Sequence, residues 1–174
     1  MTTDPTYPDN ERQVVEMLPE LRPAAEYYWE IEGAPGDDSG PFVFFESLVG
    51  TYVAILLAMS DSEKRNALLR RAFNLAETML LNGDDQVQDL AFIGLLESRG
   101  AWWWSRAQLF MGPAAHGALD THEPWWREET VGSEADDAEF IDLYGVRSVI
   151  ASELVAEGVS LEDVPGATHK RQDS

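Results

Sequence analysis

The chain contains no cysteine. That excludes disulfide staples, thiolate nucleophiles and cysteine-based zinc sites, and it suits a reducing compartment. Basic residues are scarce: 12 Lys and Arg stand against 32 Asp and Glu, a formal net charge of −20. A field of that sign repels nucleic acid and anionic membranes and attracts cations and basic protein surfaces, so no direct nucleic-acid or membrane partner is expected. The GxGxxG, GxxxxGK and GxSxG signatures are all missing. The opening MTTDPTYPDNERQ has no basic stretch leading into an apolar one, which argues against a secretory signal and for a cytoplasmic protein. The most apolar run, Phe42 to Met59, carries Glu46, Ser47, Gly50 and Thr51 near its start. A membrane span needs about 20 predominantly apolar residues, so the run reads as a buried core helix.

What is present is helical periodicity. At 174 residues and 44% hydrophobic content, the chain is long enough for one domain with a real core. Its clearest element is residues 61–99, two helices joined at Asn82-Gly83-Asp84. Ser60-Asp61-Ser62-Glu63 has the S-x-x-E spacing of a capping box. Leu68, Leu69, Ala72, Phe73, Ala76, Met79 and Leu80 then form one stripe, with Lys64, Arg65, Arg70 and Arg71 elsewhere around the helix. Gly83 is expected to close that helix in a left-handed conformation, and Asp84 or Asp85 to cap the next. There Val87, Leu90, Ala91, Gly94 and Leu95 recur at helical spacing, with Gly94 admitting a close neighbour and Gly100 as the stop.

Upstream, Asn10 is expected to cap a helix facing inward with Val14, Met17 and Leu18, and Pro19 to end it or open the next turn. Pro23 suits the first turn of a helix whose Tyr27, Tyr28 and Ile31 point inward. Residues 33–41, GAPGDDSGP, read as a loop. Phe44, Leu48, Tyr52, Ile55 and Met59 step by three to four, so a central helix is favoured over a short strand at 42–45. Downstream, Trp102-Trp103-Trp104 open a helix reaching Met111, and Gly112-Pro113 end or bend it. AAHGALDTH is a weak helical piece and Pro124-Trp125-Trp126 a less regular one. Helical spacing returns through Tyr144, Val146, Val149, Ile150 and Leu154. Together these predict an all-α, compact multi-helix bundle around a central hairpin. The expected limits are a disordered 1–9, one domain over 10–164 (core 10–119, acidic extension 120–164) and a disordered tail at 165–174.

Candidate sites are few. His116, His122 and Glu123 do not share the i, i+4 spacing that places two ligands on one helix face, so no metal or cofactor is expected. No serine has a visible base, and the paired Asp136 and Asp137 have no neighbour that would raise one pKa, so an enzyme is the disfavoured class. Three successive tryptophans span about 200° of a helix, so at least one of Trp102, Trp103 and Trp104 is expected to be partly exposed or covered by the 120s segment. From Glu128 to Asp142 the chain carries seven acids and no basic residue: Glu128, Glu129, Glu134, Asp136, Asp137, Glu139 and Asp142.

VVEMLPEL, PFVFFESLVGTYV, LLRRAFNLAETML, NGDDQVQDLAFIGLLE and the Met111-Gly112-Pro113 turn, within about residues 13–119, form a pattern. That pattern resembles a group of small bacterial helical proteins, HEAT-like in their central hairpin, found among candidate immunity proteins of polymorphic toxin systems. The resemblance implies a non-enzymatic protein that neutralises a cognate toxin by covering its active site or a surface it needs. An acidic inhibitor would be steered toward a basic toxin. The expected contact surface is the 128–142 acids with the acids at 26–38, Asp37 and Asp38 among them, and Trp125 and Trp126 as apolar anchors. The rivals are a helical scaffold or regulatory module and a DNA mimic that inhibits a DNA-binding enzyme.

Overall fold

The computed structural model describes residues 9–33, 40–97, 99–127 and 145–159. Among them are eight helices and no strand, so the chain is an all-α bundle. The helices are α1 (Asn10–Met17), α2 (Arg22–Glu32) after a 3₁₀ turn at Pro19–Leu21, α3 (Gly40–Ala58) and α4 (Glu63–Asn82). Next come α5 (Asp85–Ala91, continuing as a π-helical turn over Phe92–Leu96), α6 (Ala101–Ala107), α7 (Pro113–His122) and α8 (Val146–Ala156).

The bundle is built on α3. Phe44, Phe45, Leu48, Val49, Tyr52, Val53, Ile55 and Leu56 are fully buried, and burying each aliphatic or phenyl side chain contributes about 1.5–3 kcal/mol. Because its apolar residues run all round the axis, α3 has neighbours on all sides: α1, α4, α5, α6 and α8. It is long and apolar enough to cross a membrane by length and composition, but 72% of that stretch is buried inside the bundle. The α4 stripe and the α5 positions Val87, Leu90, Ala91, Gly94 and Leu95 also face the core, with only Leu80 half-exposed.

Both α3 and α5 widen into π-helical turns, at Phe45–Gly50 and Phe92–Leu96, and these turns pack on each other. Gly94 admits the Phe45 ring: a Cβ there would lie 2.9 Å from Phe45 Cδ1. A π-turn shifts backbone pairing by one residue. Here Arg99 donates to the carbonyls of Leu95 (2.9 Å) and Gly94 (2.9 Å).

Several local expectations need correction. Asn10 lies inside α1 after Asp9 and its buried amide makes no hydrogen bond, so it is not the cap. Met17 is exposed, leaving Val14 and Leu18 as the inward pair with Val15. On α2 the buried face is Ala24, Ala25 and Tyr28, whereas Tyr27 and Ile31 are exposed; the small alanines let α8 approach closely. Gly40 and Pro41, read as loop, already belong to α3. The α4 cap is Ser62, whose Oγ accepts the Arg65 N–H at 3.2 Å, because Met59 turns extended and keeps Ser60 out of the helix. Gly83 is extended (φ −74°) rather than left-handed. It is needed for space, since a Cβ would lie 2.4 Å from Val87 Cγ1 and 2.5 Å from the Met79 carbonyl oxygen. Asp84 caps α5 by accepting the Val87 N–H at 2.9 Å. Gly100 caps the start of α6, its carbonyl accepting from Trp103 (3.0 Å) and Trp104 (3.1 Å), and α6 ends at Ala107 rather than Met111.

Of the two expectations for the tryptophan triplet, partial exposure does not hold. Trp102, Trp103 and Trp104 are 5%, 0% and 1% exposed. A helix of two turns can bury all sides when it is wedged between others, and α6 packs on α3. Trp103 meets Phe73 of α4 edge-on at 5.8 Å, Trp104 donates its indole N–H to the Leu96 carbonyl at 3.2 Å, and Arg106 covers Trp102 at 4.9 Å.

Two alanine substitutions should have opposite signs. Gly94→Ala drives a methyl into the buried Phe45 ring and should cost about 1–3 kcal/mol. Gly117→Ala in α7, where nothing lies within 4 Å of the new Cβ, should stabilise by up to about 1 kcal/mol through helix propensity. Urea unfolding followed by circular dichroism measures both.

Candidate functional site

Three members of the basic island of α4, Lys64, Arg65 and Arg71, have internal partners, whereas Arg70 is exposed. Arg65 is buried: its Nε donates to the Leu56 carbonyl at 2.8 Å, it bonds Asn66 Oδ1 at 2.9 Å, and it lies over the Phe110 ring at 5.7 Å. It therefore satisfies the carbonyl end of α3 instead of facing solvent, contrary to its expected place outside the core. Burial lowers its pKa from the ordinary value, opposed by Asp61 at 3.6 Å. Arg71 pairs with Glu20 at 2.7 Å, and the Tyr52 hydroxyl donates to the same Glu20 oxygen. Burial, then the Glu20 carboxylate, pushes the Tyr52 phenol far above its usual range, so it stays a neutral donor. Lys64 reaches Glu157 of the segment after α8 at 2.8 Å.

Between α4, α5 and α7 an open groove of about 470 Å³ remains. Leu80, Phe92 and Ile93 supply apolar surface, and Ile93 is 45% exposed although it sits within a helix. Asp89, Glu97 and His122 line its polar side. No Lys or Arg is among the described residues that line it, and between Arg71 and Arg99 the chain carries Glu77, Asp84, Asp85, Asp89 and Glu97 without a basic residue. The wall is positioned by Glu77, whose carboxylate accepts the N–H groups of Ala114 (2.8 Å) and Ala115 (3.1 Å) at the start of α7. A carboxylate there completes unpaired backbone donors and matches the helix dipole. Gly112 makes room for it: a Cβ would fall 2.4 Å from Glu77 Cδ.

After α7 the chain turns back through residues 124–127. Asp120 accepts the Trp126 indole N–H at 2.9 Å and two N–H bonds from Arg127 at 2.9 Å each, and Arg127 lies over the Trp126 ring at 4.5 Å. Trp126 is fully buried beside His116 (ring centroids 5.6 Å apart), so it holds the turn and is not available as an interface anchor. Trp125 is 48% exposed. The acids Glu128, Glu129, Glu134, Asp136, Asp137, Glu139 and Asp142, with Asp37 and Asp38, lie outside the described residues. His116 Nε2 donates to the Gln108 carbonyl at 3.3 Å, and His122 lies against Phe92 at 4.9 Å. Among the described residues no three His, Asp or Glu side chains form a group able to hold a metal ion.

No protein-family model, curated protein or solved structure matches the chain.

The turn carries a pH signature. Arg127 and then Trp126 hydrogen bonds hold the Asp120 carboxyl down at about 2, against 3.8 for a free side chain. A depressed carboxyl stabilises the fold above its unfolded pKa and loses that contribution as pH falls through the folded one. The stability difference between wild type and Asp120→Asn should therefore be nearly full above about pH 4 and be lost as pH falls through about 2. Unfolding curves at stepped pH measure it; a difference that does not change with pH would rule the carboxylate out.

Proposed function

We propose that the protein is a non-enzymatic binding protein that neutralises a basic protein partner, in the manner of an immunity protein acting on a cognate toxin. The observation that carries this reading is the α4–α5–α7 groove, an apolar floor with acidic side chains and, among the described residues, no Lys or Arg, in a chain of net charge −20. Such a surface steers basic partners by charge and holds them by burying an apolar side chain. Trp125 adds an exposed ring just beyond the groove's end residue, His122. The acidic run from Glu128 to Asp142 follows directly in sequence. The resemblance of the 13–119 pattern to candidate immunity proteins supports the same class.

Affinity capture with the full chain at low salt, followed by mass spectrometry, should recover a basic protein. Binding to it should weaken about 30-fold in Ile93→Asp, the scale of a lost hot spot. Asp89→Lys with Glu97→Lys should slow association and reduce its salt dependence. Recovery of no basic protein, or unchanged binding by both variants with an intact circular dichroism spectrum, would overturn the reading.

A further inference from the structure

In so acidic a chain, most described basic side chains are committed to internal partners. Lys64 and Arg71 pair with Glu157 and Glu20, Arg65 and Arg99 hold backbone carbonyls, Arg106 lies over Trp102, and Arg127 grips Asp120. Arg12 of α1 and Arg22 of α2, like the exposed Arg70 of α4, form no ion pair among the described residues. Arg12 and Arg22 are both exposed. Both line one open groove of about 350 Å³, with Val15, Glu16 and Trp29. Even Glu16, one helical turn from Arg12 and on the same groove, makes no salt bridge with it.

The indole in that groove is fixed. Trp29 donates its N–H to Glu11 at 2.7 Å and stacks on Phe44 with centroids 5.8 Å apart and planes 9° from parallel. It is only half-buried. We propose that this groove binds a small planar anion, its ring resting against Trp29 and its phosphate or carboxylate held by Arg12 and Arg22. Guanidinium groups match both anions with paired N–H donors, and an immobilised indole offers ring contact at little entropic cost. The volume is at the small end of ligand sites, which suits a mononucleotide or an aromatic acid rather than a polymer. The negative field of the rest of the chain disfavours diffuse adsorption of anions, so binding depends on these two arginines. Glu16 opposes it. The site is separate from the α4–α5–α7 groove and does not depend on a protein partner.

The test uses the full chain labelled with ¹⁵N, with the Trp29 indole signal assigned through Trp29→Phe. Adenosine 5′-monophosphate and benzoate are the probes, which separate a nucleotide from an aromatic acid as the source of the anion; adenosine and inorganic phosphate are the controls. At least one probe should shift the Trp29 signal saturably, and each control should bind at least about ten-fold more weakly than that probe. Arg12→Gln and Arg22→Gln should each weaken binding about ten-fold, the loss of one charged hydrogen bond. Glu16→Gln should tighten it by a factor of about two to five, the weight of an exposed charge pair. Arg70→Gln, which removes an exposed arginine outside the groove, should change nothing. No shift with either probe, equal binding by adenosine, or an equal loss in Arg70→Gln would overturn the proposal. If an arginine variant unfolds, Glu16→Gln alone decides: binding that fails to tighten counts against the site.

Discussion

The close contact between the π-helical turns of α3 and α5 governs most of what surrounds it. It exists because Gly94 leaves the Phe45 ring a place to sit, with Gly50 on the facing helix near the Gly94 carbonyl. A β-carbon at Gly50 would lie 3.2 Å from Arg99 Nη2, so one small residue leaves room for the guanidinium that satisfies the carbonyls of the opposite turn. Arg99 then lies over Trp103 at 5.8 Å, and Trp104 bonds Leu96, the last residue of the same turn. Through these contacts α6 is fixed and three consecutive tryptophans are buried. The irregular turns thus join the central helix, the hairpin and the aromatic wedge.

A second consequence concerns charge. Arg65 and Arg99 serve as backbone caps, and Arg71 neutralises the buried Glu20. A buried carboxylate needs such a partner, because removing one member of the pair leaves an uncompensated charge. Scarce cations are thus tied to carbonyls and to a buried acid. Among the described residues, the groove between α5 and α7 has acids and no Lys or Arg. Arg12 and Arg22, by contrast, line an open groove beside an indole held by Glu11.

Much of the bundle was legible from periodicity. The α4 stripe, the α5 core positions, the central helix and the Asp84 cap all follow from spacing and side-chain chemistry over a few residues. The candidate surface was legible only in part. Trp125 and Trp126 are neighbours in a turn, and sequence offered no ground to separate the exposed ring from the buried one. The signal that divides them is Asp120, six residues before Trp126, and it has meaning only once α7 brings it back to the indole. Nor did spacing single out the α5–α7 groove, because Ile93 reads as one more apolar residue until the helices around it leave it uncovered.

By itself the sequence determined the helical class, the inward stripes of the central helices, the lack of thiol chemistry and the strongly negative net charge, because these depend on composition and on neighbours three or four residues apart. Tertiary structure alone decided which side of α2 turns inward, why Gly83 and Gly112 must be glycine, and that Arg65 is a cap rather than part of a charged face. It also decided that a tryptophan triplet spread around a helix is wholly enclosed. Each of these depends on distances between segments far apart in the chain, which local periodicity does not encode.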